Sequence, residues 1–222
     1  MLAMLIATLS APAQAGPTAV KPTDRIVFLG DSITQGGAGP KGYVTLVKQK
    51  LAEGDTKGAE VIGAGISGNK VPDLEKRLER DVLSKKPTVV VIYIGINDVW
   101  HGERDPAKGT MPERFEQGLA GIVEKIQAAG ARVILATPSV IGEKKGGANK
   151  LDAKLDQYSE ITRKLAKDKK TGLCDLRKAF ADHLAKANGA DKEAGILTTD
   201  RVHLNEAGNA FVAAEMLKAL GK

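Results

Sequence analysis

Apolar residues fall along this chain in two alternating kinds of run. Short continuous runs rich in β-branched residues stand at 25–29, 60–62, 88–94, 132–136 and 173–175. They lack polar alternation, as do strands that are covered on both faces. Between them the apolar positions recur at helical spacing. Val44, Val47 and Leu51 mark a helix over 43–52, and Leu74, Leu78 and Val82 mark one starting near Pro72, where proline is welcome in the first turn. Phe115, Leu119, Ile122 and Ile126 line one face of a long helix ended by Gly130. Helices over 151–167 and from about Arg177 follow, and Phe211, Val212, Met216 and Leu217 mark the last one. Strands alternating with helices on crossover-length connections give a parallel sheet with helices on both faces. The expected fold is therefore α/β, a single three-layer α/β/α domain over residues 21–222. Its sheet is mostly parallel, flavodoxin-like and of about five strands.

Composition and the N-terminal run narrow the picture further. The 222 residues are 42% hydrophobic, enough for one sizeable core. The formal charge of +6 comes from 33 basic and 27 acidic residues scattered in mixed clusters, and aromatics are 4%. A nucleic-acid surface needs concentrated basic residues interleaved with aromatics, so no nucleic-acid partner is expected, while mild steering of anionic ligands stays open. Residues 1–15 are apolar and small and end in Ala13-Gln14-Ala15, a cleavage pattern that implies an exported (periplasmic or secreted) protein. The usual basic residues ahead of such a run are missing. The run is too short to cross a bilayer, so no stable membrane insertion is expected. The single Cys174 reads as a buried strand residue.

Three of the expected strands run into glycine-punctuated turns: Gly30-Asp31-Ser32, Gly63-Ala64-Gly65-Ile66-Ser67-Gly68, and Gly95-Ile96-Asn97-Asp98. In a parallel sheet the carboxyl ends of the strands lie along one edge, so these turns converge where α/β proteins bind ligands. Asp200-Arg201-Val202-His203 precedes the last helix in a loop able to return to that edge. Acyl transfer needs a nucleophile, a base, a group that orients the base, and donors for the oxyanion. Ser32, His203, Asp200 and the donors Ser32 N–H, Gly68 N–H and Asn97 amide would supply all of them. Each block also has a purely local reading. Glycines permit tight turns, Asn97 suits a cap or Asx turn, Asp200 can satisfy a loop amide, and His203 can be a surface residue before the Asn205 cap. The same turn at a helix start also suits phosphate, which leaves a flavodoxin-like binding module as an alternative. Histidines and carboxylates form no metal-ligand spacing, and no cofactor is expected.

In these blocks the sequence resembles the SGNH (GDSL) hydrolase superfamily of serine esterases and lipases, in the family's order and over essentially the whole chain from Arg25. Gly30-Asp31-Ser32-Ile33 resembles the first block, with Ile33 where Leu is commoner. Gly65-Ile66-Ser67-Gly68 resembles the second, with Gly63 where many members carry Asn. Gly95-Ile96-Asn97-Asp98 and Asp200-Arg201-Val202-His203 resemble the third and fifth. The resemblance implies Ser32 as nucleophile with Asp200 and His203 completing a triad. It implies Ser32, Gly68 and Asn97 as the oxyanion hole, with Gly65 the alternative to Gly68. The implied reaction is ester hydrolysis through an acyl-enzyme. The polar, Gly-rich loops 99–111 and 138–150 suggest a small-molecule or glycan ester with a short acyl group, and Trp100 and Tyr43 are the expected aromatic platforms. Lysophospholipase or thioesterase activity is the alternative within the family. His101 is placed near the cleft without a role, and His183 is read as a surface or semi-buried residue of a helix.

Overall fold

The computed structural model describes residues 19–222 except Arg104; the apolar N-terminal run and the expected cleavage after Ala15 lie outside the described residues. Five strands, Arg25–Gly30 (β1), Glu60–Gly65 (β2), Val89–Tyr93 (β3), Arg132–Ala136 (β4) and Gly172–Cys174 (β5), form one sheet in the order β2-β1-β3-β4-β5. Every pairing is parallel. This is the flavodoxin-like order, in which the chain changes direction between β1 and β3 and leaves a crevice at their carboxyl ends. In β3 all five residues are buried, as its unbroken β-branched run requires of a strand covered on both sides.

The helices are Ser32–Gly37 (α1), Tyr43–Leu51 (α2), Val71–Asp81 (α3), Ile96–Trp100 (α4), Pro112–Ala128 (α5), Asp152–Asp168 (α6), Leu176–Ala187 (α7) and Glu206–Ala219 (α8). One outer layer contains α2, α7 and α8, and the other contains α3, α5 and α6. The apolar stripe of α5, Phe115, Leu119, Ile122 and Ile126, is almost wholly excluded from water. Truncating one such residue to alanine typically costs about 3 kcal/mol.

Two local expectations are corrected. The expected second strand, 60–62, continues to Gly65, because its register with β1 runs on to Gly30↔Gly65. Its glycines read as turn residues in the sequence, but Gly65 is needed for close packing. A Cβ there would lie 2.1 Å from the backbone nitrogen of Gln35 and 2.7 Å from the carbonyl oxygen of Asp31. The glycine-rich turn expected after Ser32 begins as a short helix, α1, capped by the Asp31 carboxylate, which accepts from the Ile33 N–H at 2.9 Å.

Candidate active site

Ser32 is the first residue of α1, directly beyond the buried end of β1. The local sequence explains this placement. Gly30 ends the strand, Asp31 caps the helix from a side chain that is 2% exposed, and Ser32 is thereby turned out, half-buried, at the carboxyl edge of the sheet. Burial pushes the Asp31 carboxyl up to about 7, against the Ile33 N–H, and the neighbouring Asp98 carboxylate adds to the rise.

The next two turns follow β2 and β3, the strands on either side of β1. Gln35 of α1 accepts the Ser67 N–H at 2.7 Å, which holds the turn after β2 against the helix. Within that turn Gly68 has φ +76°, a left-handed backbone that favours glycine. Among the described residues neither the Ser32 N–H nor the Gly68 N–H donates to any protein acceptor. Asn97 lies on α4, whose start follows β3, and is buried. Its Nδ2 donates one hydrogen to the Asn69 carbonyl at 3.1 Å, leaving the other free. A single buried guanidinium ties these parts together. Arg77 of α3 donates to the carbonyl of Gly30 at 2.7 Å, the carbonyl of Ala64 at 2.9 Å and the side chain of Asn69 at 2.7 Å. The ends of β1 and β2 and the residue that holds Asn97 are therefore fixed by one planar fork, a geometry lysine cannot reproduce.

The fourth block returns to the same edge. Ser32 Oγ lies 2.9 Å from His203 Nε2, and His203 Nδ1 lies 2.7 Å from Asp200 Oδ2. The other oxygen of Asp200 accepts the backbone N–H groups of His203 at 2.8 Å and Val202 at 3.1 Å. Burial alone would raise the Asp200 carboxyl, but the His203 ring and those two N–H groups outweigh it and hold the group below its ordinary value. An ionised Asp200 can only accept, so Nδ1 carries the imidazole proton and Nε2 is left to accept from the Ser32 hydroxyl. Unlike Ser32, this loop stands at the surface, with the Asp200 side chain about half exposed. Its position comes from Glu143, which is fully buried. The Glu143 carboxylate accepts the N–H groups of Ile196 at 2.8 Å, Leu197 at 2.7 Å and Thr198 at 2.6 Å. The segment it holds then bridges across the triad block, Thr198 pairing with Leu204 and Thr199 N–H donating to the His203 carbonyl at 2.8 Å. Asn205 closes the block by capping α8 through the Gly208 N–H at 2.8 Å.

The family model for GDSL-like lipases and acylhydrolases matches residues 28–211, which span all four blocks. The chain belongs to the GDSL-like lipase/acylhydrolase family. It is thus an ester-hydrolysing serine hydrolase. Among its relatives, an acetylxylan esterase of Geobacillus stearothermophilus is 32% identical over 213 residues, covering 89% of this chain and 94% of that one. The solved acetyl xylan esterase AlAXEase is 47% identical with a TM-score of 0.85, over 88% of this chain and 99% of that one. The solved Axe2, an acetylxylan esterase from Geobacillus stearothermophilus, is 30% identical with a TM-score of 0.82, over 92% and 97%. Three further Axe2 structures are catalytic mutants, at a serine, an aspartate and a histidine, the last two spaced three residues apart.

The structure joins Ser32, His203 and Asp200 in one hydrogen-bonded chain and places Gly68 and Asn97 in the segments that follow β2 and β3. Gly65, the alternative to Gly68, is instead spent on the close approach of β2 and α1. Tyr43 is not a cleft platform. Its ring is fully buried between Phe28 and Tyr93, with the hydroxyl 2.8 Å from Thr34 Oγ1, because a phenol on the inner face of α2 packs best in the aromatic core. Trp100 is half-buried at the end of α4 with His101 beside it, so the expected loop 99–111 begins as helix. Burial and the nearby Lys70 lower the His101 pKa. His183 is half-buried against Phe211, and burial pushes the Cys174 thiol up to about 12. Sequence reasoning missed Arg77 and Glu143. Arg77 sits on the apolar side of α3 beside Leu74 and Leu78, a weak signal that a charge there is buried and paired; Glu143, in a Lys- and Gly-rich loop, gave none.

Proposed function

We propose that the protein is a carbohydrate acetyl esterase in which Ser32, His203 and Asp200 act as the triad and Ser32 N–H, Gly68 N–H and the Asn97 amide as the oxyanion hole. The single observation carrying this reading is the continuous chain from Ser32 Oγ through the His203 ring to Asp200, beside two backbone donors with no other partner. His203 Nε2 takes the hydroxyl proton as Ser32 Oγ bonds to the acetyl carbonyl carbon. The carbonyl oxygen becomes an oxyanion facing the three donors, while Asp200 stabilises the imidazolium. Collapse breaks the bond to the sugar oxygen, which receives the proton from His203. Water then repeats the sequence on the acetyl-Ser32 ester, freeing acetate and the serine.

Two observations support a short acyl group on a sugar. Relatives that match most of the chain include acetylxylan esterases. Among the described residues the large apolar side chains left exposed are Ile66, Met111 and Leu173, too few to wall a long acyl chain. Among the described residues no helix is long and apolar enough to cross a membrane, and the small-residue pattern at 13–15 supports export. The test is acetate release from acetylated xylooligosaccharides against fatty-acid release from long-chain acylglycerols. The reading expects turnover of the former, abolished in Ser32→Ala. Turnover of the acylglycerols alone would overturn it.

A further inference from the structure

A groove of about 700 Å³ opens between the end of α4 and the triad loop, lined by Trp100, His101, Lys108 and Arg201 among others. It continues into a recess of about 240 Å³ that shares Trp100, Glu103 and Arg201 and ends at Lys150 and Glu193. Both walls start from the reacting groups. Trp100 is one helical turn beyond Asn97 on α4, and Arg201 stands between Asp200 and His203.

The charges along this groove are not balanced. Its carboxylates already have cationic partners: Lys108 lies 3.9 Å from Asp105, Lys150 3.0 Å from Glu103, and Lys144 2.8 Å from Glu193. The Arg201 guanidinium makes no hydrogen bond or ion pair among the described residues, although it lies close enough to Glu193 to favour that group's charge. Arg201 also has φ +82°, a conformation in which glycine would be less strained, and its carbonyl accepts the Gly142 N–H at 2.9 Å. The loop geometry alone therefore favours glycine at this position, and what arginine adds is its side chain.

We propose that this groove is the subsite for the alcohol part of the substrate and that it takes an acidic saccharide. A sugar ring stacks on Trp100, and a uronic-acid carboxylate one or two units away is received by the Arg201 guanidinium. This rests on the carbohydrate-ester reading above and names its substrate more closely. An apolar sugar face suits an indole, and a planar fork suits a carboxylate. The chain's formal charge of +6 adds long-range attraction for an acidic glycan.

The protein has a single tryptophan, so its emission reports this groove directly. The Ser32→Ala protein is titrated with acetylated xylotetraose and with the same oligosaccharide bearing one glucuronic-acid branch. The expected result is a Trp100 emission change with both, and roughly tenfold tighter binding of the acidic ligand at low salt. That advantage shrinks as salt is raised and is erased in Arg201→Met. In the parent enzyme kcat/KM follows the same ratio, and Arg201→Lys retains part of it. Equal affinity and equal kcat/KM for the two ligands, with acetate still released from both, overturn the acidic subsite and leave the esterase reading standing. So does release of acetate without any change in Trp100 emission. If p-nitrophenyl acetate is cleaved but neither oligosaccharide is, the carbohydrate reading falls and this proposal with it.

Discussion

The two halves of the site are held in opposite ways. On the serine side, Ser32, Gly68 and Asn97 stand directly beyond β1, β2 and β3, on a sheet edge fixed by parallel register and a buried guanidinium. On the histidine side, Asp200 and His203 belong to a surface loop that reaches the edge from outside the sheet, and a buried carboxylate on a different loop keeps it there. The difference separates two demands. Donors for a developing oxyanion act by not moving, which a sheet edge supplies. A base that takes and returns a proton needs its tautomer fixed by a local partner, and here a spacing of three residues supplies that.

The comparison breaks first at Asn97. Asn97→Ala removes a preorganised donor and is expected to lower kcat on p-nitrophenyl acetate on the order of 10²- to 10³-fold with little change in KM. A KM effect larger than the kcat effect would place Asn97 in ground-state binding instead. Glu143→Gln tests the other half. An amide puts a donor where three N–H groups need an acceptor, so a loss of about 3 kcal/mol is expected. That corresponds to a fall in Tm of roughly 10 °C for a chain of this size, read by thermal unfolding. An unchanged Tm would mean the triad loop does not depend on that carboxylate. Arg77→Lys sharpens the serine side: keeping the charge but losing the fork should cost kcat on p-nitrophenyl acetate roughly tenfold with little change in KM. An unchanged kcat would show that the fork does not hold the serine side in place.

How much of this was legible in the sequence follows the same division. The strand runs specified a parallel sheet, because burial on both faces leaves an unmistakable composition, whereas the strand order came from the usual flavodoxin-like arrangement of such sheets. The spacing of Asp200 and His203 made their contact readable as a local one. Arg77 and Glu143 were not legible, because a charged residue is ordinarily solvated and only tertiary structure reveals the carbonyls or N–H groups that it meets. Tyr43 was misread for the mirror-image reason: an aromatic beside a glycine-rich turn looks like a platform until the Phe28 and Tyr93 rings are seen around it. The length of β2 was obscured by glycines that serve α1 packing rather than a turn.

The smallest expected effect lies under the serine. Asp31 has a folded-state value of about 7 against an ordinary 3.8, so the folded protein holds this proton more tightly than the unfolded chain. Its contribution to stability is present below about pH 4 and is lost as the pH rises towards 7, and Asp98, pushed up to about 6, acts in the same direction. Asp31→Asn keeps the cap acceptor for α1 and removes that titration. It should flatten the fall in Tm between pH 5 and 8. An equally steep fall in the variant would place the titration elsewhere.

The central claim is that Ser32 is the group that bonds to the acyl carbon, and covalent labelling tests it most directly. The full protein is treated with a fluorophosphonate, which phosphonylates an activated serine, and the modified residue is located by peptide mass spectrometry. The account predicts one label per chain, on Ser32, lost in His203→Ala and blocked by prior incubation with excess ester substrate. Labelling of another serine, or labelling of Ser32 at an undiminished rate without His203, would contradict it.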